Sequence, residues 1–516
     1  MTPNSSPKKP TASRAWIIAA IVLVLGFDLA FLWQRRSGAT ESELGGHPDE
    51  AAHYITGLAF QNYLATGLAG GPQKSFADFS AHYPNVRPLT SPPLFPIVQA
   101  AWTTAFGKSR ASNLLMMCLL AALIARLLHL ALRADFGEAA AVVAAALFIS
   151  LPLVREHTAT LLPALLCTAC MLAAALAFAR FSERERLTDA LLFGLAAALA
   201  ILTDQMGLAL ALFVPLALLL SRKWTVLACP QFWIGIALAA APAWYFHASN
   251  WTPASLSFSR AAVPFFAAEL ASAVGAILFL IAVPCFITKL TRPAERTARW
   301  SAAAALLIAT LLFLFLTPAE LEPGRLLPAL PAALMFATAG CAAVAKRLSR
   351  STGFILVVTG VLTLALFETV MVTWRTKKWS GFRPLVEIVL DRAERPLARV
   401  LVCSDRTGTG MCIAEFAMRE KQPTRFIQSA EKLFASTKFG DEAELSDLLL
   451  AQNFDYIVLD ESNPDLDLDR APLHDMLRRT LKENTDRFWE MSSAPVVRDG
   501  IAQEAPARLY RVMGRN

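Results

Sequence analysis

Charged residues are scarce in this chain, and they are unevenly distributed. Asp, Glu, Lys and Arg make up 17% of the 516 residues, against about 25% in a typical soluble domain. Of these charges, 45 lie in the 142 residues from Arg375 to Asn516, where 22 basic and 23 acidic residues nearly balance. The first 374 residues therefore have the composition of a polytopic membrane protein, and the tail has that of a globular domain.

This composition excludes a disordered chain, a collagen and a coiled coil. It also argues against a nucleic-acid partner, because the net charge of +7 comes from the membrane part and not from the tail. Cysteine is sparse as well: eight residues in a chain of this length do not make a disulfide framework. Cys403 and Cys412 are the cysteines of the tail, and they either pair in an oxidising compartment or both stay unreactive.

Apolar stretches long enough to cross a bilayer occur throughout the first 374 residues. A spanning helix needs about 20 mostly apolar residues. We place eleven spans at 15–33, 111–132, 138–154, 158–179, 187–203, 205–220, 231–248, 265–288, 300–317, 325–345 and 352–374. A twelfth stretch, 92–107, is short and begins with two prolines.

The distribution of Lys and Arg decides whether 92–107 crosses the membrane. If it lies on the membrane without crossing, thirteen short-loop cations fall on the cytoplasmic side and three on the outer side. If it crosses, the counts are reversed, against the positive-inside rule. The sequence thus predicts a cytoplasmic N-terminus and an external C-terminus, in a bacterial inner membrane whose outer face is periplasmic. No small-residue cleavage site follows the first span, so this span is expected to be a retained helix.

The predicted organisation has three parts. A cytoplasmic N-terminus, 1–14, precedes a transmembrane domain, 15–374, which contains a periplasmic loop, 34–110. The tail, 380–516, is predicted to be a periplasmic α/β domain. A strand at 399–403, a glycine turn and a helix ending at Arg419 suggest a Rossmann-like unit, with a further helix at 442–452 and strand at 455–460. The glycine turn lacks the full Gly-x-Gly-x-x-Gly spacing, which argues against nucleotide binding. The domain is expected instead to stabilise the opening of the site in the membrane domain or to recognise an acceptor.

Ionisable residues gather on the outer face, where such residues are functional candidates by default. They are found at His47–Tyr54, Arg155–His157, Asp204, Arg260 and Glu320–Arg325. A mixed set of this kind offers a carboxylate base and cations that hold an anionic leaving group. Asp49 has two interpretations that the sequence leaves open, since it could serve as that base or cap a helix at 50–66.

Three segments together resemble the GT-C glycosyltransferases, in particular the bacterial family-39 group related to protein O-mannosyltransferases and aminoarabinose transferases. Pro48-Asp49-Glu50-Ala51-Ala52-His53-Tyr54 is similar to that family's acidic motif in the first periplasmic loop. Ser91-Pro92-Pro93-Leu94, followed by Arg110 at the start of the next span, is similar to its His/Lys-Pro-Pro-Leu motif. Glu322-Pro323-Gly324-Arg325-Leu326-Leu327-Pro328-Ala329-Leu330-Pro331 resembles its Arg-Tyr-Leu-Leu-Pro-x-Leu-Pro motif. The resemblance covers residues 15–374.

The resemblance implies transfer of a sugar, with inversion, from a polyprenyl-phosphate donor to a lipid, glycan or protein acceptor. Asp49 is the first candidate for the general base, and Glu50 is the second. Arg325, then Arg155 and Arg110, are candidates for binding the phosphate, because Arg pairs with phosphate in a bidentate manner. His53 and Glu322 complete the candidate substrate-binding set. The resemblance fixes no cofactor, since some GT-C enzymes use divalent ions and others do not, and His47 and His53 with the acidic pair could hold a divalent metal.

Two other functions remain open at this point. A transporter or flippase of polyprenyl lipids would need binding groups near the bilayer midplane and usually an inverted repeat, and the sequence shows neither. A non-catalytic GT-C relative that acts as a binding or scaffold protein is also possible, because position 91 is Ser where the family has His or Lys, and Asp204 follows Thr203 where many relatives have Lys.

Overall fold

The computed structural model describes ten stretches of the chain: 12–68, 70–89, 91–247, 257–292, 296–317, 321–348, 376–392, 397–436, 441–462 and 471–513. The chain divides into two compact units. Unit 1 comprises Met1–Trp33, Met117–Thr158 and Pro163–Trp374, and unit 2 comprises Gln34–Met116, Ala159–Leu162 and Arg375–Asn516. Unit 2 thus groups the loop after the first span with the tail, whereas the sequence analysis grouped that loop with the membrane helices.

Helices dominate the described residues. They are α1 (Ala12–Ser37), α2 (Glu50–Ala65), α3 (Gly71–His82), α4 (Leu94–Phe106), α5 (Arg110–Ser150), α6 (Pro152–Thr158), α7 (Ala164–Arg184), α8 (Leu187–Thr203), α9 (Leu210–Ser221), α10 (Pro230–His247), α11 (Ala262–Val274), α12 (Ala276–Thr291), α13 (Ala298–Leu316), α14 (Leu330–Leu348), α15 (Arg383–Arg392), α16 (Arg406–Arg419), α17 (Ala430–Ser436), α18 (Glu442–Ala451) and α19 (Ala471–Glu483). A 3₁₀ turn, Pro323–Ala329, leads into α14.

Five helical segments of the described chain are long and apolar enough to cross a membrane. They are Trp16–Ser37, Arg110–Ser150, Ala164–Arg184, Ala298–Leu316 and Pro323–Val344. Helices α11 and α12 pass the same test as a pair bent by 110°, which gives up to six spans. The predicted polytopic helical architecture is confirmed, while the count of eleven spans stays a prediction.

The differences between predicted and observed spans have local causes. The expected spans 111–132 and 138–154 are the two parts of α5, which is interrupted at Gly137 with φ 82° and ψ 169°. A positive φ is readily adopted by glycine, so the helix can break there. Helices α8 and α9 are present but short, and the expected span 352–374 lies outside the described residues. Helix α4 has 13 residues, about 20 Å of helix, which is too short for a core of about 30 Å.

The tail forms the predicted α/β structure. Its strands are β1 (Arg399–Cys403), β2 (Phe426–Ser429), β3 (Tyr456–Asp460), β4 (Phe488–Ala494), β5 (Val497–Arg498), β6 (Ile501–Ala502) and β7 (Ala507–Val512). The five-stranded sheet has the order β2-β1-β3-β7-β4. Strands β2, β1 and β3 are parallel, whereas β7 runs antiparallel to both β3 and β4. Leu401, Ile457, Leu459 and Phe488 contribute to the buried core of the tail.

A buried ion-pair network occupies the carboxyl ends of β1 and β3. In doubly wound folds this position, where the strand order reverses, is where ligands bind. Here Arg498, 8% exposed, donates to Asp460 at 2.8 Å and also to Asp405. Ser404 donates to the same Asp460 carboxylate at 2.6 Å. Ser404 and Arg498 thus hold the Asp460 carboxylate at this edge of the sheet.

Within unit 2, several contacts join the tail to the loop 34–110, and two of them position α15 and α16. The Glu43 carboxylate, 1% exposed, accepts the backbone N–H groups of Gly381, Phe382 and Arg383 at the start of α15. Helix α16 packs against α2, and a Cβ atom on Gly410 would lie 2.9 Å from the Cβ of Ala51. The close approach at Gly410 brings the beginning of α16 beside the beginning of α2.

Candidate active site

Asp49 precedes α2, yet its side chain does not cap that helix. The structure shows no capping hydrogen bond from the first helical N–H groups to its carboxylate. The carboxylate instead accepts a hydrogen bond from the Arg406 guanidinium, with an Nη2–Oδ1 distance of 2.5 Å. The two side chains are 32% and 71% exposed. Of the two interpretations left open by the sequence, the capping one is therefore not supported, and an accessible carboxylate remains.

Glu50, the next residue, lies in an entirely different environment. Its side chain is fully buried. One carboxylate oxygen, Oε2, accepts the backbone N–H of Gly46 at 2.8 Å. The other, Oε1, accepts from Arg110 at 2.9 Å and from the N–H of Leu161 at 3.2 Å. These bonds tie the start of α2 to the start of α5 and to the segment 159–162.

Gly46 is required at its position by packing. A Cβ atom there would lie 2.7 Å from Thr160 Cγ2 and 3.2 Å from Glu50 Oε2. Both distances are shorter than ordinary van der Waals contacts, so a larger residue would push the carboxylate away from its donors. The sequence Gly46-His47-Pro48-Asp49 thus allows the chain to turn tightly around the Glu50 side chain.

Arg110 is placed in the interior of unit 2 and not at a surface. It is 3% exposed. Besides Glu50, its guanidinium donates to the carbonyl oxygens of Ala39 and Ala159, the latter at 3.0 Å. A guanidinium held by one carboxylate and two carbonyls is suited to fixing loops together, and phosphate binding by Arg110 stays a prediction.

His53 lies one turn further along α2 and is also buried. Its Nε2 accepts a hydrogen bond from Arg87 Nη1 at 2.7 Å, and its ring meets the edge of Phe95 at 5.7 Å between centroids. Burial, together with the neighbouring Arg87 and His47 charges, lowers the pKa of His53 well below its usual value. The imidazole is therefore neutral at pH 7, with its proton on Nδ1.

These residues do not fit a divalent metal. Among the described residues, no group of three or more His, Cys, Asp and Glu side chains is arranged as a metal site. Both Glu50 oxygens are already occupied by donors, and His53 Nε2 is occupied by Arg87. His47 Nδ1 accepts the N–H of Asp49 at 3.1 Å. We therefore assign no metal to this group.

The remaining candidates, Arg155, Glu322 and Arg325, lie in unit 1. The segments Arg155–His157 and Glu322–Arg325, both predicted from the sequence, come together there. The 3₁₀ turn that contains Arg325 packs against α6, which carries Arg155. A Cβ atom on Gly324 would lie 2.4 Å from His157 Nε2, so glycine is needed for this close approach. Arg325 is 4.0 Å from Glu322, at the outer limit of an ion pair, and the Arg155 guanidinium stacks on the Trp33 ring at 4.9 Å.

Two residues near Asp49 and His53 were not predicted from the sequence. Arg87 lies four residues before the Ser91 motif. Its position as an isolated cation of the outer loop close to that motif was the sequence feature that could have identified it. Arg406 follows Asp49 by 357 residues. Its proximity depends on the packing of α16 against α2, for which the sequence offers no local signal.

Residues 90–246 match the family model described as dolichyl-phosphate-mannose-protein mannosyltransferase. No curated protein matches the chain. The fold is similar to ArnT from Cupriavidus metallidurans in the apo state, with a TM-score of 0.56, 15% identity and coverage of 97% of this chain and 98% of that one. The same protein bound to undecaprenyl phosphate matches with a TM-score of 0.55 and 15% identity, at the same coverage.

Two further solved structures share the fold. An oligosaccharyltransferase from Archaeoglobus fulgidus matches with a TM-score of 0.52 and 11% identity, over 85% of this chain and 69% of that one. The arabinofuranosyltransferase AftD from mycobacteria matches with a TM-score of 0.52 and 15% identity, over 98% of this chain and 40% of that one. At these identities the likeness concerns the fold. The chain thus has the fold that these glycosyltransferase structures share, and its residues 90–246 match the mannosyltransferase family model.

Proposed function

We propose that this protein is an inverting glycosyltransferase with Asp49 as its general base. Its donor is a sugar carried on polyprenyl phosphate, and its acceptor is a hydroxyl group of a lipid, glycan or protein at the periplasmic face of a bacterial inner membrane. The ArnT structure with bound undecaprenyl phosphate supports a donor of this class for the fold. The acidic motif at 48–54 supports the location of the base.

The observation that carries the proposal is the contrast between two adjacent carboxylates. Glu50 is fully buried with both oxygens engaged by donors, so its carboxylate is not accessible to a substrate. Asp49 is partly exposed and pairs with Arg406, which is itself largely exposed. An exposed ion pair is worth about 0–1 kcal/mol, so an incoming hydroxyl group can replace it at little cost.

The chemistry requires one proton transfer. As the acceptor oxygen attacks the anomeric carbon, Asp49 takes its proton. The bond between that carbon and the phosphate oxygen breaks, and the electron pair leaves with the lipid phosphate, which needs no acid at neutral pH. General base catalysis of this kind contributes about 10²–10⁴-fold to the rate. Glu50 and Arg110 act as positioning residues that hold the start of α2.

Arg325 and Arg155 are proposed to bind the donor phosphate. The Pro323–Ala329 turn and α6, which carry them, pack against each other within unit 1. A guanidinium can present two parallel N–H groups to phosphate oxygens. Stabilisation of the charge that accumulates on the leaving phosphate lowers the barrier, because the donors are already in place before the reaction.

Transfer of labelled sugar by the purified protein from a panel of polyprenyl-phosphate donors tests the proposal. Asp49→Asn should lower turnover by about 10²–10⁴-fold and leave donor affinity nearly unchanged. Asp78→Asn is the matched control, because Asp78 lies on α3 in the same loop and is exposed. Normal transfer by folded Asp49→Asn protein would contradict the assignment of the base. Failure of every donor with the unmodified protein would favour the scaffold function.

The proposed membrane orientation has a separate test. A phosphatase reporter that is active only outside the cytoplasm should be active when fused after Trp374, because thirteen of the sixteen short-loop cations are then cytoplasmic. Activity of a cytoplasmic reporter at the same position would place Asp49 on the wrong side for a periplasmic reaction.

A further inference from the structure

A cavity of about 630 Å³ lies in unit 2, between the second half of α2, the helix α4 and the end of α16. Its wall is mostly apolar and includes Leu58, Leu64 and Phe79. Gln61 and Asn62 add hydrogen-bonding groups, and Lys108 and Lys421 also line the cavity. An apolar cavity with a few convergent polar groups is the usual form of a small-molecule or lipid site.

The charged residues of this cavity leave a net positive charge. Lys108 is partly buried, and its Nζ reaches the backbone carbonyl of Glu420 at 3.4 Å. In the described part of the chain, neither Lys108 nor Lys421 has a carboxylate within ion-pair distance. The Glu420 carboxylate is already paired with Arg425 at 2.9 Å and accepts the hydroxyl of Tyr83. An anion in the cavity would therefore meet two uncompensated ammonium groups.

Desolvation explains why such an anion would be stabilised. Burial lowers the pKa of Lys108 from its usual value, because water around the ammonium group is replaced by protein. An anionic ligand next to this amine would favour the charged form again. Displacement of water around both partners also strengthens their attraction.

The helices that form the cavity have apolar side chains on the surface. Leu64 in α2 and Leu68, three residues after the end of α2, are 51% and 54% exposed, and Phe106 at the end of α4 is 63% exposed. Large exposed apolar residues beside cations are typical of helices that lie in the membrane interface. Leu64 also lines the cavity, so the cavity borders a surface suited to contact with lipid.

We propose that this cavity binds an anionic membrane phospholipid, with its phosphate on Lys108 and Lys421 and an acyl chain along Leu58, Leu64 and Phe79. The site does not depend on the proposed glycosyl transfer. Gln61 follows Asp49 by twelve residues, about 18 Å along a helix at 1.5 Å per residue. A lipid held there therefore fixes the loop and the tail to the membrane surface and takes no part in the reaction at Asp49.

Native mass spectrometry of the purified full chain tests this site. Dioleoyl phosphatidylglycerol is titrated against dioleoyl phosphatidylcholine, which has the same chains and no net charge. Phosphatidylglycerol should bind at least about tenfold more tightly, the equivalent of one charge-assisted hydrogen bond. Lys108→Gln should lose that preference. Lys74→Gln is the matched control, because Lys74 is exposed on α3 in the same unit and does not line the cavity.

A second variant separates binding in the cavity from attraction to the surface. Ala101→Phe places a ring in the cavity wall without changing charge, and it should also reduce phosphatidylglycerol binding by about tenfold. Equal binding of the two lipids, or unchanged binding in both cavity variants, would overturn the proposal. So would displacement of phosphatidylglycerol by equimolar undecaprenyl phosphate, because the cavity would then be a substrate site. Asp49→Asn protein should bind phosphatidylglycerol normally, whatever its transfer activity.

Discussion

Replacement of Glu50 by Gln should destabilise the protein far more than replacement of its neighbour Asp49 by Asn. Glu50 is fully buried and accepts three hydrogen bonds, one of them from Arg110, which is 3% exposed. Gln keeps one carbonyl oxygen but places an amide group where the second oxygen accepted a bond. It also leaves the Arg110 charge in the interior without its hydrogen-bonded carboxylate.

The expected magnitude follows from these environments. Removal of one partner of a buried ion pair costs about 3–5 kcal/mol. A folding unit of about 150–250 residues loses roughly 2–4 °C of its unfolding midpoint per kcal/mol. Glu50→Gln should therefore lower the midpoint by roughly 6–20 °C. Asp49→Asn removes an exposed pair worth about 0–1 kcal/mol, so its midpoint should fall by less than about 4 °C.

Tryptophan fluorescence during thermal unfolding of the purified variants in one detergent measures both midpoints. The double variant Glu50→Gln with Arg110→Met supplies the internal control, because removal of the orphaned charge should restore part of the lost stability. A Glu50→Gln midpoint within about 2 °C of the unmodified protein would refute the reasoning. Such a result would mean that the buried hydrogen bonds of Glu50 stabilise the folded state no more than hydrogen bonds to water do.

Three other predictions concern donor binding, pH and thiol reactivity. Arg325→Ala should weaken donor binding in the transfer assay. Arg325→Lys should restore only part of the donor affinity, since Lys cannot form the bidentate contact with phosphate. Burial and the nearby Glu43 raise the pKa of Glu415 from 4.5 to about 7. The folded state therefore favours the protonated form of Glu415, and the unfolding midpoint should fall as pH rises from 4.5 through 7. In the control variant Glu415→Gln this pH dependence should be lost. Cys403 and Cys412 are free and buried, so a membrane-impermeant maleimide should label them only after unfolding.

Elements with strong local signals were predicted close to their observed bounds. Helix α8 occupies 187–203 as expected, and β1 occupies 399–403 as expected. The strands β4 and β7 were missed. Only the two ends of β4 are buried, and its middle residues are exposed or half-buried, so its sequence shows no regular alternation. Strand β7 pairs with β3 and β4 through long-range antiparallel contacts, which a local pattern does not reveal.

The candidate site was predictable as a group of residues but not as a geometry. A local motif identified Asp49 and Glu50, and the next motif led to Arg110. Their different environments depend on partners from distant segments: Leu161 donates to Glu50 and Arg406 donates to Asp49. No pattern within the motif distinguishes the two carboxylates, because the distinction arises when the tail packs onto α2.

This packing gives a physical reason for two carboxylates in succession at the start of α2. A base must keep a lone pair accessible to a substrate, and a carboxylate with that freedom cannot also hold the surrounding loops. In the structure Glu50 holds the loops through Arg110, Gly46 and Leu161, and Asp49 keeps partial exposure beside Arg406. The consequence is a separable effect of the two substitutions: loss of Glu50 should act on unfolding temperature, and loss of Asp49 should act on turnover in a protein that unfolds almost normally.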